Sequence, residues 1–211
     1  MKALRVRLTS WTGSFRYPSF MIGLQPTLLI PPPSTIFGLI SAAKGEEVHT
    51  NEVSVGYVFL HSGKGEDLES IYELSSGLEG KTNVIRRQFL YDCRLYIYLS
   101  DISYSKFFKN PKYQLVLGRS TDLATVTEIA EIELEIKNHS KFGNTIVPFG
   151  TKNAFGTIQS LPLSFDNNFI PRRAIDVTRY LVMNGFAEAQ TEMPYDPEND
   201  WGIYFYGNGK Q

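Results

Sequence analysis

The sequence predicts an α+β fold in which a βαββαβ region is followed by a smaller, antiparallel β-rich part. Three observations support this prediction. Hydrophobic residues make up 42% of the 211 residues, which is enough apolar material for a core. Apolar and polar residues alternate in several stretches with the period of a half-buried strand. One segment that follows three prolines has instead the apolar spacing of a helix that ends at a glycine.

The N-terminal residues predict a strand, a loop and a helix. In Lys2–Ser10, three apolar residues alternate with polar ones, as in a strand that has one buried face. The loop that follows, residues 11–18, mixes Ser, Gly, Arg and aromatic residues. The helix is predicted to begin at Ser34 or Thr35, whose hydroxyl would accept a backbone N–H, and to end at Gly45.

Two more strands, a short helix and a fourth strand complete the predicted order. The strands are Glu52–Leu60 and Leu90–Ser100, and the segment Ser62–Gly80 between them is expected to hold at most one helical turn. The short helix is Ser103–Lys109, and the fourth strand is Tyr113–Leu117. The resulting βαββαβ order is the ferredoxin-like arrangement.

Residues 1–121 are predicted to form the ferredoxin-like domain, and residues 122–211 the antiparallel β-rich part. Alternating or β-branched stretches predict strands at Ile132–Ile136, Thr157–Phe165, Ala174–Met183 and Gly202–Tyr206. Two prolines and three acidic residues in Met193–Asp200 predict a surface loop.

Composition excludes several classes of protein. A single cysteine excludes a disulfide-stapled domain and a cysteine-based zinc site, and the three histidines lack the spacing of metal ligands. We therefore expect no metal or other cofactor. Prolines 31–33 interrupt the most apolar stretch, so neither a membrane-spanning helix nor a membrane partner is expected. The first residues do not form a signal peptide, and a cytoplasmic location is expected.

Charge is arranged in blocks although the formal net charge is −1. Residues 1–45 carry five basic and no acidic side chains, residues 46–80 have a net charge of −7, and residues 81–119 have a net charge of +6. Such blocks can form a basic face that attracts polyanions whatever the total charge is. The alternative is that these charges are simply solvated.

Three segments are candidates for binding phosphate or unpaired bases, and we expect them to meet in one cationic site. The first is the loop before the helix together with the helix start, where free N–H groups favour phosphate. The second is Lys81–Tyr91, where adjacent arginines stand beside aromatic residues that could stack on bases. The third is Gly118–Thr121, where glycine permits a close backbone approach, and Arg172-Arg173 is a weaker fourth. The candidate RNA-binding residues are Ser14, Phe15, Arg16, Tyr17, Ser34, Thr35, Lys81, Arg86, Arg87, Phe89, Arg119 and Ser120.

The same segments carry a resemblance to a known family. The matching blocks are Ser14–Arg16 with Pro32–Ile40, then Thr82–Leu90, then Pro111–Tyr113 with Leu117–Ser120. In these blocks the sequence resembles the CRISPR-associated protein five (Cas-five) family, type I-B-like, of the RAMP superfamily. The blocks are in family order and span roughly residues 1–121, and Pro-Pro-Ser-Thr-Ile-Phe-Gly-Leu-Ile is the most specific.

The resemblance implies a modified RNA-recognition-motif domain with a "thumb" hairpin around residues 81–91. It also implies a role in Cascade, the RNA-guided surveillance complex of type I antiviral defence. Members of the family bind the 5′ handle of the CRISPR RNA (crRNA) and contact the large subunit and the first backbone subunit. The expected partners are therefore crRNA and these two subunits, with target DNA reached only through the complex. If about five phosphates were bound, affinity would fall with salt at a log–log slope of roughly −3.5.

One branch of the family cuts precursor crRNA without a metal, using Tyr, Lys and His. The position of that Tyr falls near Leu28 here, which cannot transfer a proton, and no Lys–His pair lies in the matched blocks. The sequence therefore favours a non-catalytic subunit. Two alternatives stay open. One is a metal-independent endoribonuclease in which Tyr17 or Tyr91 acts with Lys81, and the other is a β-rich module that binds no nucleic acid.

Overall fold

The computed structural model describes residues 1–17, 23–74, 80–166, 169–170 and 172–207. Strands β1 to β8 are Lys2–Gly13, Phe15–Arg16, Leu24–Gln25, Thr27–Leu28, Val55–Leu60, Gly63–Leu74, Gly80–Leu99 and Thr125–Glu133. Strands β9 to β17 are Glu135–Lys137, Ser140–Pro148, Thr157–Leu161, Ser164–Asp166, Arg173–Ile175, Thr178–Ala189, Met193–Asp196, Trp201–Gly202 and Phe205–Tyr206. The helices are α1, Pro33–Lys44, and α2, Ser105–Lys109, which follows a 3-10 turn at Ile102–Tyr104.

An antiparallel sheet built on β1 and β7 organises this α+β molecule. Its strands lie in the order β17-β5-β7-β1-β8, and every neighbouring pair in that order is antiparallel. Strand β7 also pairs with β6 and, in parallel, with the short β3. The strands predicted at Lys2–Ser10, Glu52–Leu60 and Leu90–Ser100 are confirmed, although β1 and β7 are longer than expected. No helix in the described ranges is both long and apolar enough to cross a membrane.

Helix α1 begins earlier than the sequence suggests. Pro32 takes the cap position in an extended conformation and no side chain caps the helix, so the prediction of a cap at Ser34 or Thr35 was wrong. The reason is that Pro33 suits the first helical position, where its fixed φ is helical and its missing N–H would have no partner. Gly45, with φ of 89°, confirms the predicted end of the helix.

Both faces of the main sheet are covered, whereas alternation in β1 predicted one buried face. Leu4, Val6 and Leu8 pack on the side of α1 and α2. On the opposite side Tyr96, 8% exposed, packs against Trp201 with ring centroids 5.1 Å apart. The C-terminal segment that carries Trp201 therefore covers the face that polar residues of β1 occupy.

Strand β6 and the first half of β7 form a long hairpin beyond the part of β7 that pairs with β1 and β5. The register pairs Gly63 with Tyr91 and Gly65 with Phe89, and in each pair the aromatic ring covers the glycine. The expectation of at most a helical turn in Ser62–Gly80 was wrong for Gly63–Leu74, because this acidic stretch pairs in continuous antiparallel register with the basic strand β7; residues 75–79 lie outside the described part of the chain.

The fourth predicted strand is also corrected. Tyr113–Leu117 contributes only an isolated bridge between Val116 and Leu123, and Thr125–Glu133 (β8) pairs with β1 instead. The short helix predicted at Ser103–Lys109 is confirmed as the 3-10 turn and α2. The division of the chain at residue 121 stays a prediction, although β8 lies beyond it and joins the main sheet.

In the described part of the chain after β8, all strands except β17 belong to three smaller sheets, of order β10-β14-β11, β16-β15-β9 and β12-β13. The strands predicted at Thr157–Phe165 and Ala174–Met183 are present, each interrupted once. The segment Met193–Asp200 was predicted as a surface loop, but it begins with strand β15 and buries Asp196 completely. This prediction was wrong because the acidic Asp196 is stabilised by a buried arginine, Arg5, which the local composition does not show.

Candidate nucleic-acid interface

Three distant stretches of the chain meet at Ser14, which is buried. Its Oγ donates a hydrogen bond to the Gln88 carbonyl oxygen at 2.9 Å, and its backbone N–H donates to the Leu117 carbonyl oxygen at 2.9 Å. The loop before α1, the basic strand β7 and the turn after Leu117 are therefore brought together, as the sequence predicts. We call the meeting point of Ser14, Gln88, Leu117 and Gly118 the junction.

Gly118 makes this meeting possible. It has a φ of 113°, a conformation that other residues rarely adopt, and a Cβ atom there would overlap with the Ser14 carbonyl oxygen. The close backbone approach that the sequence predicts at Gly118 is thus an approach to Ser14.

Arg119 is held by two carboxylates of the protein. Its Nε and Nη2 lie 3.1 Å from the nearer oxygens of Asp122, and its Nη1 lies 3.1 Å from Asp67. Asp122 is completely buried and also accepts a hydrogen bond from Thr12 at 2.6 Å. Burial alone would lower the pKa of Arg119, but the hydrogen bonds to Asp122 and Asp67 hold it above its ordinary value. The expectation that Arg119 binds phosphate is therefore corrected, because its donors are used inside the protein.

Two further candidates on β7 are engaged in the same way. Arg87 forms an ion pair with Glu69 on the neighbouring strand. The ring of Phe89 lies over Gly65 and under the Arg119 guanidinium, whose centre is 5.7 Å from the ring centroid. Arg87 therefore has a carboxylate beside it and Phe89 supports the hairpin, and binding of RNA by these two residues stays a prediction.

Phe15 belongs to the core. It is 2% exposed and meets Phe59 edge to face, with ring centroids 5.4 Å apart. The expectation that Phe15 stacks on a base is corrected for this reason. Tyr17 is partly buried and packs against the same core.

The start of α1 offers few free donors. Pro33 has no N–H, and the Thr35 N–H donates to the Pro32 carbonyl oxygen at 2.9 Å. Ser34 lines an open groove of about 490 Å³ between α1 and β12, together with residues that include Arg172. The structure therefore gives no support to a phosphate site at the hydroxyls of Ser34 and Thr35.

The exposed cations of the junction are Arg16 and Arg86. Both are exposed, and neither forms an ion pair with another residue that the structure describes. Arg16 follows Ser14 by two residues, and Arg86 precedes Gln88 by two. Ser120 is exposed in the adjoining turn, and the side chain of Lys81 lies outside the described part of the chain. Binding of RNA by these four residues stays a prediction.

Sequence reasoning missed three residues that shape this region. Asp67 and Asp122 neutralise Arg119. They lie 52 residues before it and 3 residues after it in the sequence, and no local pattern indicates that they would meet it. Trp11 was placed in a loop, but it lies in β1 and is 90% exposed. If the alternation of inward and outward positions in Lys2–Ser10 is continued past Ser10, Trp11 falls in the strand at an outward position.

The remaining reactive side chains are those of the cysteine, the histidines and the acidic residues. No three His, Cys, Asp or Glu residues within the described ranges are grouped so that they could hold a metal ion. Cys93 is 1% exposed, and burial, with nearby Asp122 and Asp92, raises its pKa to about 12. The prediction that Cys93 is a core residue is confirmed. His139 pairs with Glu188 at 3.1 Å on the exposed surface.

The fold is shared with chains of known CRISPR complexes. A chain of a CRISPR RNA-guided surveillance complex matches with a TM-score of 0.57 and 20% identity, over 91% of this chain and 91% of that chain. A chain of the Type III-B Cmr-beta complex bound to cognate target RNA and AMPPnP matches with a TM-score of 0.58 and 11% identity, over 89% and 86%. Neither a protein-family model nor a curated protein matches the sequence. At these identities the likeness establishes a common fold.

Proposed function

We propose that this chain is a non-catalytic, crRNA-binding subunit of a type I CRISPR effector complex that caps the 5′ handle of crRNA. The observation that carries the proposal is the junction, where the three blocks that resemble the Cas-five family meet through Ser14. The fold shared with a chain of an RNA-guided surveillance complex and a chain of a complex bound to target RNA supports the same class of function.

The proposal includes a ferredoxin-like core. The elements β1, α1, β5, β7, α2 and β8 follow one another in the order βαββαβ, if the short strands and the hairpin strand β6 are set aside. Their strands lie in the order β5-β7-β1-β8 and are antiparallel throughout. This arrangement supports a modified RNA-recognition-motif fold.

The RNA site that we propose contains fewer residues than the twelve candidates. Arg16 and Arg86 are the exposed guanidinium groups beside the junction, and Ser120 and Lys81 flank it in sequence. Since Arg87 and Arg119 are held by carboxylates, we expect about three phosphate contacts instead of five. The log–log slope of affinity against salt is then about −2.

The outer face of the hairpin supports a role in assembly. Three apolar side chains on this face are strongly exposed, with Leu68 at 73%, Tyr72 at 70% and Val84 at 53%. Leu24 and Leu68 stand on either side of Arg86 in the register of the three strands. Clustered exposed apolar groups favour contact with another protein, so we assign this face to the backbone or large subunit.

The experiment is affinity purification of the full chain from cells that express the complete effector operon and a CRISPR array. We expect recovery of crRNA whose 5′ end carries the repeat-derived handle, together with the large and backbone subunits. Recovery of the subunits without RNA, or of RNA without handle ends, would contradict the proposed capping role.

The non-catalytic part of the proposal has its own test. Purified chain is incubated with precursor crRNA in EDTA, with heat-denatured chain as the control. We expect no cleavage, because the position of the catalytic Tyr in the nuclease branch falls near Leu28, which cannot transfer a proton. One discrete cut within the repeat would instead identify an endoribonuclease.

A further inference from the structure

The most exposed aromatic side chain of the main sheet is Trp11, near the end of β1. Its side chain is 90% exposed, whereas the second tryptophan of the chain, Trp201, is 7% exposed. Tryptophan is mostly buried in folded proteins, so this degree of exposure on a central strand needs an explanation. Trp11 is held rigidly, because Ser10 and Thr12 on either side of it pair with Cys93 and Tyr91 of β7.

The register places cations around Trp11. Alternation in β1 puts Arg7, Thr9 and Trp11 on one face of the sheet. Thr9 pairs with Arg94, which places Arg94 diagonally beside Trp11, whereas Leu90, beyond Asp92, is completely buried in the core on the opposite face. Long side chains at such diagonal positions lie within reach of one another.

Two arginines, Arg7 and Arg94, stand on this face with Trp11. Arg7 forms no ion pair with a described residue, and its guanidinium lies over the Tyr96 ring, 5.5 Å from its centroid. Arg94 is 3.6 Å from Asp92, which also accepts a short hydrogen bond from the Ser62 hydroxyl. Glu128, which pairs with Arg7 in register, is bonded instead to Arg5 at 2.6 Å.

We propose that Trp11, with Arg7 and Arg94, forms a stacking site for an unpaired base of single-stranded RNA. One isolated aromatic ring among cations matches the combination of stacking and phosphate binding that single strands require. A protein-docking surface would instead show a continuous apolar patch, as the outer face of the hairpin does. The site rests on the proposed RNA-binding function, and it supplies the stacking side chain that Phe15, being buried, cannot supply.

The test measures binding of a short oligouridylate, which lacks any handle sequence, to the full chain. Fluorescence anisotropy of a dye-labelled oligouridylate measures the affinity of every variant, and tryptophan fluorescence reports contact with Trp11 in the wild type, because Trp11 is accessible and Trp201 is not. We expect quenching on binding and a loss of affinity of about 5- to 150-fold in Trp11→Ala. Trp11→Phe should retain most of the affinity, and Arg94→Ala should reduce the salt slope by about 0.7.

Tyr113→Ala is the matched control, because Tyr113 is an aromatic residue that is 60% exposed and lines the groove beside α1. We expect it to bind oligouridylate like the wild type, and all variants to unfold at the same temperature. Equal affinities of Trp11→Ala and the wild type would overturn the proposal. Loss of a protein partner by Trp11→Ala, with oligouridylate binding unchanged, would overturn it also.

The outcomes separate this site from the proposed capping function. If Arg16→Ala/Arg86→Ala loses its affinity for handle RNA while Trp11→Ala binds oligouridylate normally, the capping function is supported and the stacking site is contradicted. If Trp11→Ala loses oligouridylate while the wild type shows no preference for handle RNA, the stacking site stands and capping falls.

Discussion

Arg119 illustrates how a residue whose sequence context suits phosphate binding can serve the fold. Its guanidinium joins Asp122, which is completely buried, to Asp67 on the hairpin. Removing it would leave the carboxylate of Asp122 buried with only the Thr12 hydroxyl and the Arg119 backbone N–H as donors. An uncompensated buried charge of this kind is strongly destabilising.

We therefore expect Arg119→Ala to lower the free energy of unfolding by about 3 kcal/mol, measured by urea denaturation. Arg86→Ala is the control, because Arg86 is exposed and has no ion-pair partner in the described part of the chain. Its stability should stay within about 0.5 kcal/mol of the wild type. Similar stabilities of the two variants would show that Arg119 does not cross-link the junction.

At the residue scale, the sequence predicts what depends on local geometry. Gly45 ends α1 and Cys93 lies in the core, because each role follows from a residue's own conformation or apolarity. The roles of Phe15 and Arg119 depend on Phe59 and Asp67, which lie about 44 and 52 residues away and meet them only in the folded sheet. Such contacts leave no periodic signal in the sequence.

The hairpin is the element whose function is most separable from stability. Beyond the pair Glu69–Ile85, its side chains that the structure describes are exposed or half-buried. Few buried contacts in a segment mean that little of the global stability depends on it. The hairpin can therefore be shortened at this pair without disturbing the core.

We expect replacement of residues 70–84 by an Asn-Gly turn to leave the thermal unfolding temperature nearly unchanged. A two-residue turn of this type joins antiparallel strands in register. The shortened chain should lose the backbone or large subunit in pull-down assays, because Tyr72 and Val84 of the apolar face are removed. A control chain with Asn-Gly inserted after residue 150, in an exposed turn, should retain both subunits. Full subunit recovery by the shortened chain would contradict the assignment of this face.

At the element scale, alternation identified the central strands but not all their partners. Strands β1 and β7 could be predicted because apolar and polar residues alternate in them, and β5 because it is rich in Val and aromatic residues. Strand β6 could not, because its acidic residues resemble a solvated loop until they pair with the basic half of β7. Tyr113–Leu117 was mistaken for the fourth strand because a short apolar run does not reveal whether a partner strand lies beside it.

A cluster of ion pairs around the buried Arg5 connects strand β1 to the C-terminal segment that carries Asp196 and Glu198. Arg5 on β1 donates hydrogen bonds to Asp196 at 3.0 Å, to Glu128 at 2.6 Å and to Glu198 at 2.5 Å. Asp196 also accepts a hydrogen bond from the Tyr98 hydroxyl at 2.8 Å. Burial would raise the pKa of Asp196, but hydrogen bonds from Asn199, Tyr98 and Arg5 hold it below its ordinary value.

This cluster predicts a dependence of stability on acid. Because the pKa of Asp196 is lower in the folded chain, its contribution is complete above its unfolded pKa of about 3.9 and is lost as the pH falls below that value. We expect Asp196→Asn to lower the free energy of unfolding by about 3 kcal/mol at neutral pH. The variant should also lose less stability than the wild type between about pH 4 and pH 2.

Asp200→Asn is the matched control for this prediction. It makes the same change of charge four residues away, at a side chain that is 61% exposed and bonded to Lys141. Urea denaturation should place its stability within about 0.5 kcal/mol of the wild type. If both variants had the same stability and the same acid profile, the C-terminal segment would not be fixed to β1 through Asp196.

At the scale of the whole molecule, the central proposal is that exposed arginines beside the junction hold the 5′ handle of crRNA. The most direct measurement is the affinity for handle RNA and for a scrambled strand across a range of salt concentrations. We predict a preference for the handle, a log–log slope of about −2, and loss of both in Arg16→Ala/Arg86→Ala. Equal binding of the two strands, or an unchanged slope in the double variant, would contradict the account.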